Sequence, residues 1–282
     1  MHPLRVTLAI ATLVVAATTV SPAPASGSIT IGSDLRLVPS PIADTCILSI
    51  PPCTEVLAGA HDGNRFPAAS PTDGTVTSFG IRSAAADTVT FRLARLNSST
   101  KATGAGTGPT TTLPGRGKFS FPAHLRVHVG DVVGVDTSSV SAYPDDCPGG
   151  GFSLTYHPTL VDGGPFRPID ANGICELLVN AKVQPANSFE LKTPKRNQNN
   201  GTAKLPVLLP GPGRVAVSGK GVKGSTERAP EAGKVKLPIK PRGKVKRHLR
   251  NRGKVKVKVK ITFRPVGGHS RSESKTVKLI RR

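Results

Sequence analysis

Lys254-Val255-Lys256-Val257-Lys258-Val259-Lys260-Ile261-Thr262-Phe263 alternates polar and apolar residues without a slip. Successive side chains of an extended chain point to opposite faces. Four lysines therefore share one face, and Val255, Val257, Val259, Ile261 and Phe263 share the other. A helix would scatter both sets around its circumference, because its apolar stripe recurs at three and four residues. The stretch predicts a strand with one wet face and one buried face, and burying that face requires a second sheet.

The same period recurs nearby in shorter runs: Leu205–Leu209, Val215–Val217, Val235-Lys236-Leu237-Pro238-Ile239 and Thr276-Val277-Lys278-Leu279. Gly-Lys-Val-Lys occurs three times, beginning at Gly233, Gly243 and Gly253. A ten-residue period is too short for the familiar solenoid units. The middle copy loses the alternation at Arg247-His248-Leu249-Arg250 and reads as a turn or a single helical turn. Residues 186–282 thus predict a small sandwich of about six strands. A disordered basic arm is the competing reading, but disorder does not require a β-branched residue at every second position.

Residues 26–185 carry period-two runs of a less basic kind, such as Val76–Ile81, Val89–Leu96 and Leu125–Val129. Turn residues divide them at Asp73-Gly74, Gly104–Pro109, Pro114–Gly117, Gly130-Asp131 and Gly149–Gly151. Many short strands with frequent turns predict an all-β fold, a jelly-roll or β-sandwich domain followed by the small basic sandwich.

Charge divides the 282 residues at the same place. Residues 1–189 hold 12 basic and 13 acidic side chains, whereas residues 190–282 hold 27 basic and 4 acidic, which accounts for the net charge of +22. Clustered ammonium groups release counterions from an anionic polymer when they bind it. The lysines at 254, 256, 258 and 260 are the expected contact stripe for anionic cell-wall polymers or acidic polysaccharides. Sequence-specific nucleic acid is not expected as a partner, since the only aromatics of residues 186–282 are Phe189 and Phe263, too few for a stacking platform.

The first 25 residues set the expected compartment. A basic start at Met1–Arg5, an uncharged run from Val6 to Val20 and small residues at Ala23-Pro24-Ala25 predict a cleaved export signal. The run of about fifteen falls short of the ~20 residues that a membrane-spanning helix needs. After processing behind Ala25 the protein is expected outside the cytoplasm, with no membrane span. Its four cysteines, Cys46, Cys53, Cys147 and Cys175, then read as disulfides. Four cysteines allow three pairings; Cys46–Cys53 and Cys147–Cys175 each close a local loop and are the expected ones. Zinc is disfavoured, because no Cys-x-x-Cys spacing occurs.

No Gly-x-Ser-x-Gly elbow, His-Glu-x-x-His motif or Walker loop is present, and neither a catalytic residue nor a cofactor is expected. His124 and His128 fall on a predicted strand, where four residues span ~13 Å, too far to share an ion. His61-Asp62-Gly63-Asn64 and Asp170-Ala171-Asn172-Gly173 offer oxygens for calcium, yet Asx-Gly pairs are ordinary turn chemistry. Sugar recognition is one alternative function, but with no Trp the rings available for stacking are Tyr143 and Tyr156. An unrecognised hydrolase is the second alternative, because triad members need not be close in sequence.

Resemblance adds to this reading. The pattern Pro210-Gly-Pro-Gly, Val215-Ala-Val-Ser-Gly-Lys-Gly-Val-Lys, Leu237-Pro-Ile-Lys-Pro and Leu249-x3-Gly253-Lys-Val-Lys-Val-Lys-Val resembles a lysine-rich immunoglobulin-like module found at the C-termini of secreted proteins of high-GC Gram-positive bacteria. Ser70-Pro71-x-Asp73-Gly74-x-Val76-Thr77 and Phe121-Pro122-x3-Arg126-Val127-x2-Gly130-Asp131-Val132-Val133-Gly134 resemble a jelly-roll-like domain of similar exported proteins. The resemblance implies the broad architecture of exported proteins; it brings neither an established activity nor site residues.

Overall fold

A computed structural model describes residues 28–41, 44–45 and 52–282. The predicted export signal and Cys46 lie outside the described residues. The fold is all-β: antiparallel strands throughout, with one helix among the described residues.

Nine principal strands build the first half: β1 (Ile29–Gly32), β2 (Cys53–Gly59), β3 (Gly74–Ser83), β4 (Ala86–Ser98), β5 (Lys101–Pro114), β6 (Gly117–Val127), β7 (Asp131–Thr137), β8 (Phe152–Tyr156) and β9 (Val179–Pro185). Pairing is nested, β1 with β9, β2 with β7, β3 with β6 and β4 with β5. A long hairpin paired in that way and rolled over gives two sheets, ordered β1-β9-β3-β6 and β5-β4-β7-β2-β8. This is the connectivity of a jelly roll, with β8 inserted as an extra strand beside β2. Alternation decides which side faces in. Along β6, Lys118, Ser120, Pro122, His124 and Arg126 are exposed, while Phe119, Phe121, Ala123 and Leu125 between them are half-buried. The core between the sheets is centred on Phe79, stacked on Phe91 at 4.8 Å between ring centroids, with Phe121 against Phe91 at 5.8 Å.

A separate core belongs to the second half. Its main strands are β10 (Thr202–Leu209), β11 (Gly213–Ser218), β12 (Ser225–Ala229), β13 (Gly233–Pro241), β14 (Lys254–Pro265) and β15 (Arg271–Ile280), with helix α1 (Gly243–Arg252) between β13 and β14. One sheet runs Glu190–Leu191, β10, β13, Val222–Lys223, and the other β12-β11-β14-β15. Counting the short ones, this half has nine strands rather than six; the additional ones are two- and three-residue pairings such as Val222–Lys223, too short to leave a period in the sequence.

The three Gly-Lys-Val-Lys copies take two structures. The first opens β13 and the third opens β14, but the middle one forms the first turn of α1, which is ten residues long rather than a single turn. The residues C-terminal to each copy decide between them. After Gly233 and Gly253 apolar residues continue at every second position, whereas after Gly243 they come four apart, at Val245 and Leu249. That spacing puts both on one helical face, and both pack into the core. Gly253 ends the helix at φ 66°, its N–H bonded to the Leu249 carbonyl at 3.0 Å. Only glycine takes that left-handed conformation at little cost.

The halves meet at the turn around Asp73 and where Gly267 approaches Ser28 and Ile29. Asp73 N–H donates to the Pro210 carbonyl (3.0 Å), Ala186 N–H to the Asp73 carbonyl (2.8 Å), and buried Thr72 lies so close to Gly211 that a Cβ there would overlap it.

Candidate polyanion-binding face

Register on the sheet β12-β11-β14-β15 places the predicted lysines. Lys254, Lys256, Lys258 and Lys260 are all exposed, while Val257, Val259, Ile261 and Phe263 are buried. Across from Lys256 stands Lys278, and Lys258 and Lys260 face Thr276 and Ser274. At the other end of the sheet Arg264 stands opposite Arg214, and Arg214 opposite Arg228. The outward face thus carries eight cations on four strands, spaced ~6.6 Å along a strand and ~4.8 Å between neighbours. No outward position of these strands bears a carboxylate, since Glu227 and Glu273 pair in register with the inward residues Val215 and Ile261. Among the described residues none of the eight makes an ion pair. The sequence located the stripe on β14, but the arginine row formed by 214, 228 and 264 is a product of register and left no local signal.

The first half treats its charges in the opposite way. Glu176 is buried, accepting hydrogen bonds from Ser33 Oγ (2.9 Å) and the His61 amide (2.8 Å), with His61 Nδ1 at 2.9 Å. Serine, histidine and a carboxylate sit together here, but the order is wrong for nucleophilic catalysis. Both Ser33 and His61 bind the carboxylate rather than each other, and a triad needs the imidazole on the hydroxyl. Glu55 is held by Tyr143 Oη (2.7 Å) and Thr155 Oγ1. Asp131, wholly buried, takes a two-pronged bond from Arg95 at 2.8 and 3.1 Å. Buried Arg92 reaches Asp162 (3.0 Å), Asp136 (3.5 Å), the Thr107 hydroxyl and the Leu160 carbonyl. Burial pushes the Asp136 carboxyl above its ordinary range, a shift partly offset by the Thr54 hydroxyl and Arg92. Each of these carboxylates clamps segments distant in sequence; Glu55, Asp131 and Glu176 are buried, whereas Asp162 remains exposed on the outer side of its pair with Arg92.

The remaining candidates disperse. His128 Nδ1 lies 3.3 Å from Asp73 Oδ1, while His124 lines the cleft between the halves. Asn64 is committed to the carbonyls of Gly32 and Phe66, and Asp170 accepts the His157 amide. Among the described residues no three His, Cys, Asp or Glu side chains are grouped to hold a metal. Tyr156 is fully buried, which lifts its phenol to about 12 and removes its ring as a sugar platform. Cys147 and Cys175 form the expected disulfide. Cys53 is not a free thiol, and its expected partner Cys46 is outside the described residues. Among the described residues, no helix is long and apolar enough to cross a membrane. No protein-family model matches the chain, and no curated protein matches it.

Proposed function

We propose that this is a secreted, non-catalytic protein whose basic second half holds it electrostatically to anionic wall polymers, teichoic acids or acidic polysaccharides, through Lys254, Lys256, Lys258 and Lys260. One observation carries the reading: a sheet face with eight cations, none neutralised from within the molecule. A face needed only for solubility gains nothing from excluding acids, because interspersed charges of both signs serve as well. Residues 186–282 fit an immunoglobulin-like module in support of this role, since β10 pairs β13 in one sheet while β11, β14 and β15 form the other. The paired cysteines and the export signal fit a compartment outside the cytoplasm.

The test is the salt dependence of binding to a linear phosphodiester polymer such as poly(glycerol phosphate). Each cation lost from contact with a single-stranded polyanion lowers the slope of log K against log salt by about 0.7. Changing the four lysines of β14 to glutamine should therefore reduce it by about 2.8 while the circular dichroism spectrum stays unchanged. A slope unaltered by the four substitutions would remove the face from the binding event.

A further inference from the structure

A second basic feature lies off that face. The first turn of α1, the end of β13 and the end of β15 enclose a cavity of about 470 Å³. Six cations line it: Lys223, Lys240, Arg242, Lys246, Arg250 and Arg281. None belongs to the eight of the sheet face, and no acid lines the cavity.

Three local arrangements there are unfavourable in the empty protein. Lys223 stands directly opposite Lys240 across two strands, and like charges so placed repel. Lys246 and Arg250 are four apart on α1, where like charges repel across one turn. The helix begins with Arg242 as N-cap making no side-chain capping bond, and its first turn contains no acid, although Gly243, Lys244 and Val245 have N–H groups without intrahelical acceptors. That end carries the positive pole of the helix dipole and favours anions, yet the sequence supplies cations. Solvated charges that serve only solubility spread apart. Here they converge on a concavity from four separate segments of chain, and the Arg242 N–H bonded to the Gly221 carbonyl (2.8 Å) and Arg281 N–H to the Gly253 carbonyl (2.7 Å) fix two of those segments.

We propose that this cavity binds a ligand carrying two or more closely spaced phosphate groups. Arginine forks match phosphate oxygens in pairs and lysines serve as point charges, while the unpaired amides of the helix start are suited to the same oxyanion. The volume is within the range of small-molecule sites and well above the ~30 Å³ share of one water, room for more than a single tetrahedral group. Six positive charges call for a multiply charged occupant. Such a group comes either from a soluble di- or triphosphate or from a short stretch of phosphodiester polymer.

Amide NMR titration of the full chain at about 150 mM salt, where long-range surface electrostatics are largely screened, decides the matter. Sodium pyrophosphate is the probe for the first source, and a glycerol phosphate trimer for the second. The expected result is one saturable site with shifts centred on Gly243, Lys244 and Val245. In the double variant Lys246→Gln/Arg250→Gln, whose side chains are exposed, binding should weaken about 100-fold, tenfold for each charged hydrogen bond lost. The double variant Lys256→Gln/Lys258→Gln should leave it unchanged, which separates this site from the sheet face. Tighter binding of pyrophosphate indicates the soluble ligand, and tighter binding of the trimer indicates the polymer. Absence of saturation with both probes, or equal weakening by the two double variants, overturns the proposal.

Discussion

Leu249 is the one fully buried residue of α1, and its removal tests why the middle Gly-Lys-Val-Lys copy is helical at all. Leu249→Ala takes three carbons out of the second core, about 2.4 kcal/mol of transfer free energy at ~0.8 kcal/mol for each. A cavity term adds to this, and measured Leu→Ala substitutions range over about 2–5 kcal/mol. The site borders Gly201 and the edge of the sandwich, so part of the space can collapse, and about 3 kcal/mol is the expected cost. The assay must resolve the halves. Tyrosine fluorescence reports the first half alone, since Tyr143 and Tyr156 both lie there and the chain has no Trp. Amide exchange of Val257, Val259 and Ile261 reports the second. A loss of about 3 kcal/mol lowers protection of those β14 amides roughly 100-fold. Protection reduced less than about fivefold, equivalent to ~1 kcal/mol, would refute the idea that burial of Leu249 selects the helix over a third strand.

Two further outcomes concern the first half. The Cys147–Cys175 bridge closes a separation of 28 residues, so changing both to serine should cost about 3.5 kcal/mol in chain entropy, seen as an earlier tyrosine-detected urea transition; an unmoved midpoint would show that the loop is held without it. Asp87 is pushed above its ordinary 3.8 by burial, opposed by the Thr88 amide and the Thr137 hydroxyl. The folded state therefore holds that proton more tightly than the unfolded one, a contribution present in acid and lost as pH rises through the folded value. Asp87→Asn should consequently gain stability relative to the native protein as pH rises above the ordinary carboxyl value of 3.8, with thermal unfolding at several pH values as the measurement and a pH-independent difference as the refuting result.

Legibility tracks the range of the interaction. Strand identity along β14 and β6 was written in period two and turns in Asp73-Gly74 and Gly130-Asp131, because each is decided within a few residues; the Cys147–Cys175 bridge, 28 residues across, was legible because four cysteines allow only three pairings. The helix was legible too, in the four-residue spacing of Val245 and Leu249, but the repeat of Gly-Lys-Val-Lys masked it. Nothing local announced the clamps. Ser33 and Glu176 are 143 residues apart and His61 and Glu176 are 115 apart, so only the nested pairing of the jelly roll brings them together. The arginine row and the six-cation cavity were hidden for the same reason: composition carries the sign and number of charges, and topology alone decides which of them converge.

These two kinds of charge use are connected. The first half holds Glu55, Asp131 and Glu176 internally, against Arg95 and buried hydroxyls and amides, while Asp62, Asp145, Asp146, Asp162 and Asp170 stay exposed. The second half has four acids against 27 bases, and two of those acids pair locally, Glu190 with Lys192 and Glu273 with Arg271. Self-repulsion of such a half opposes its compact state, and the opposing stabilisation comes from the strict apolar phase of Val257, Val259, Ile261 and Phe263. Any polyanion that binds the folded face adds to that stabilisation by mass action. Under the proposed function, folding of the basic half and its retention on an anionic polymer are linked equilibria, and the outward cations that weaken the first are the groups that would drive the second.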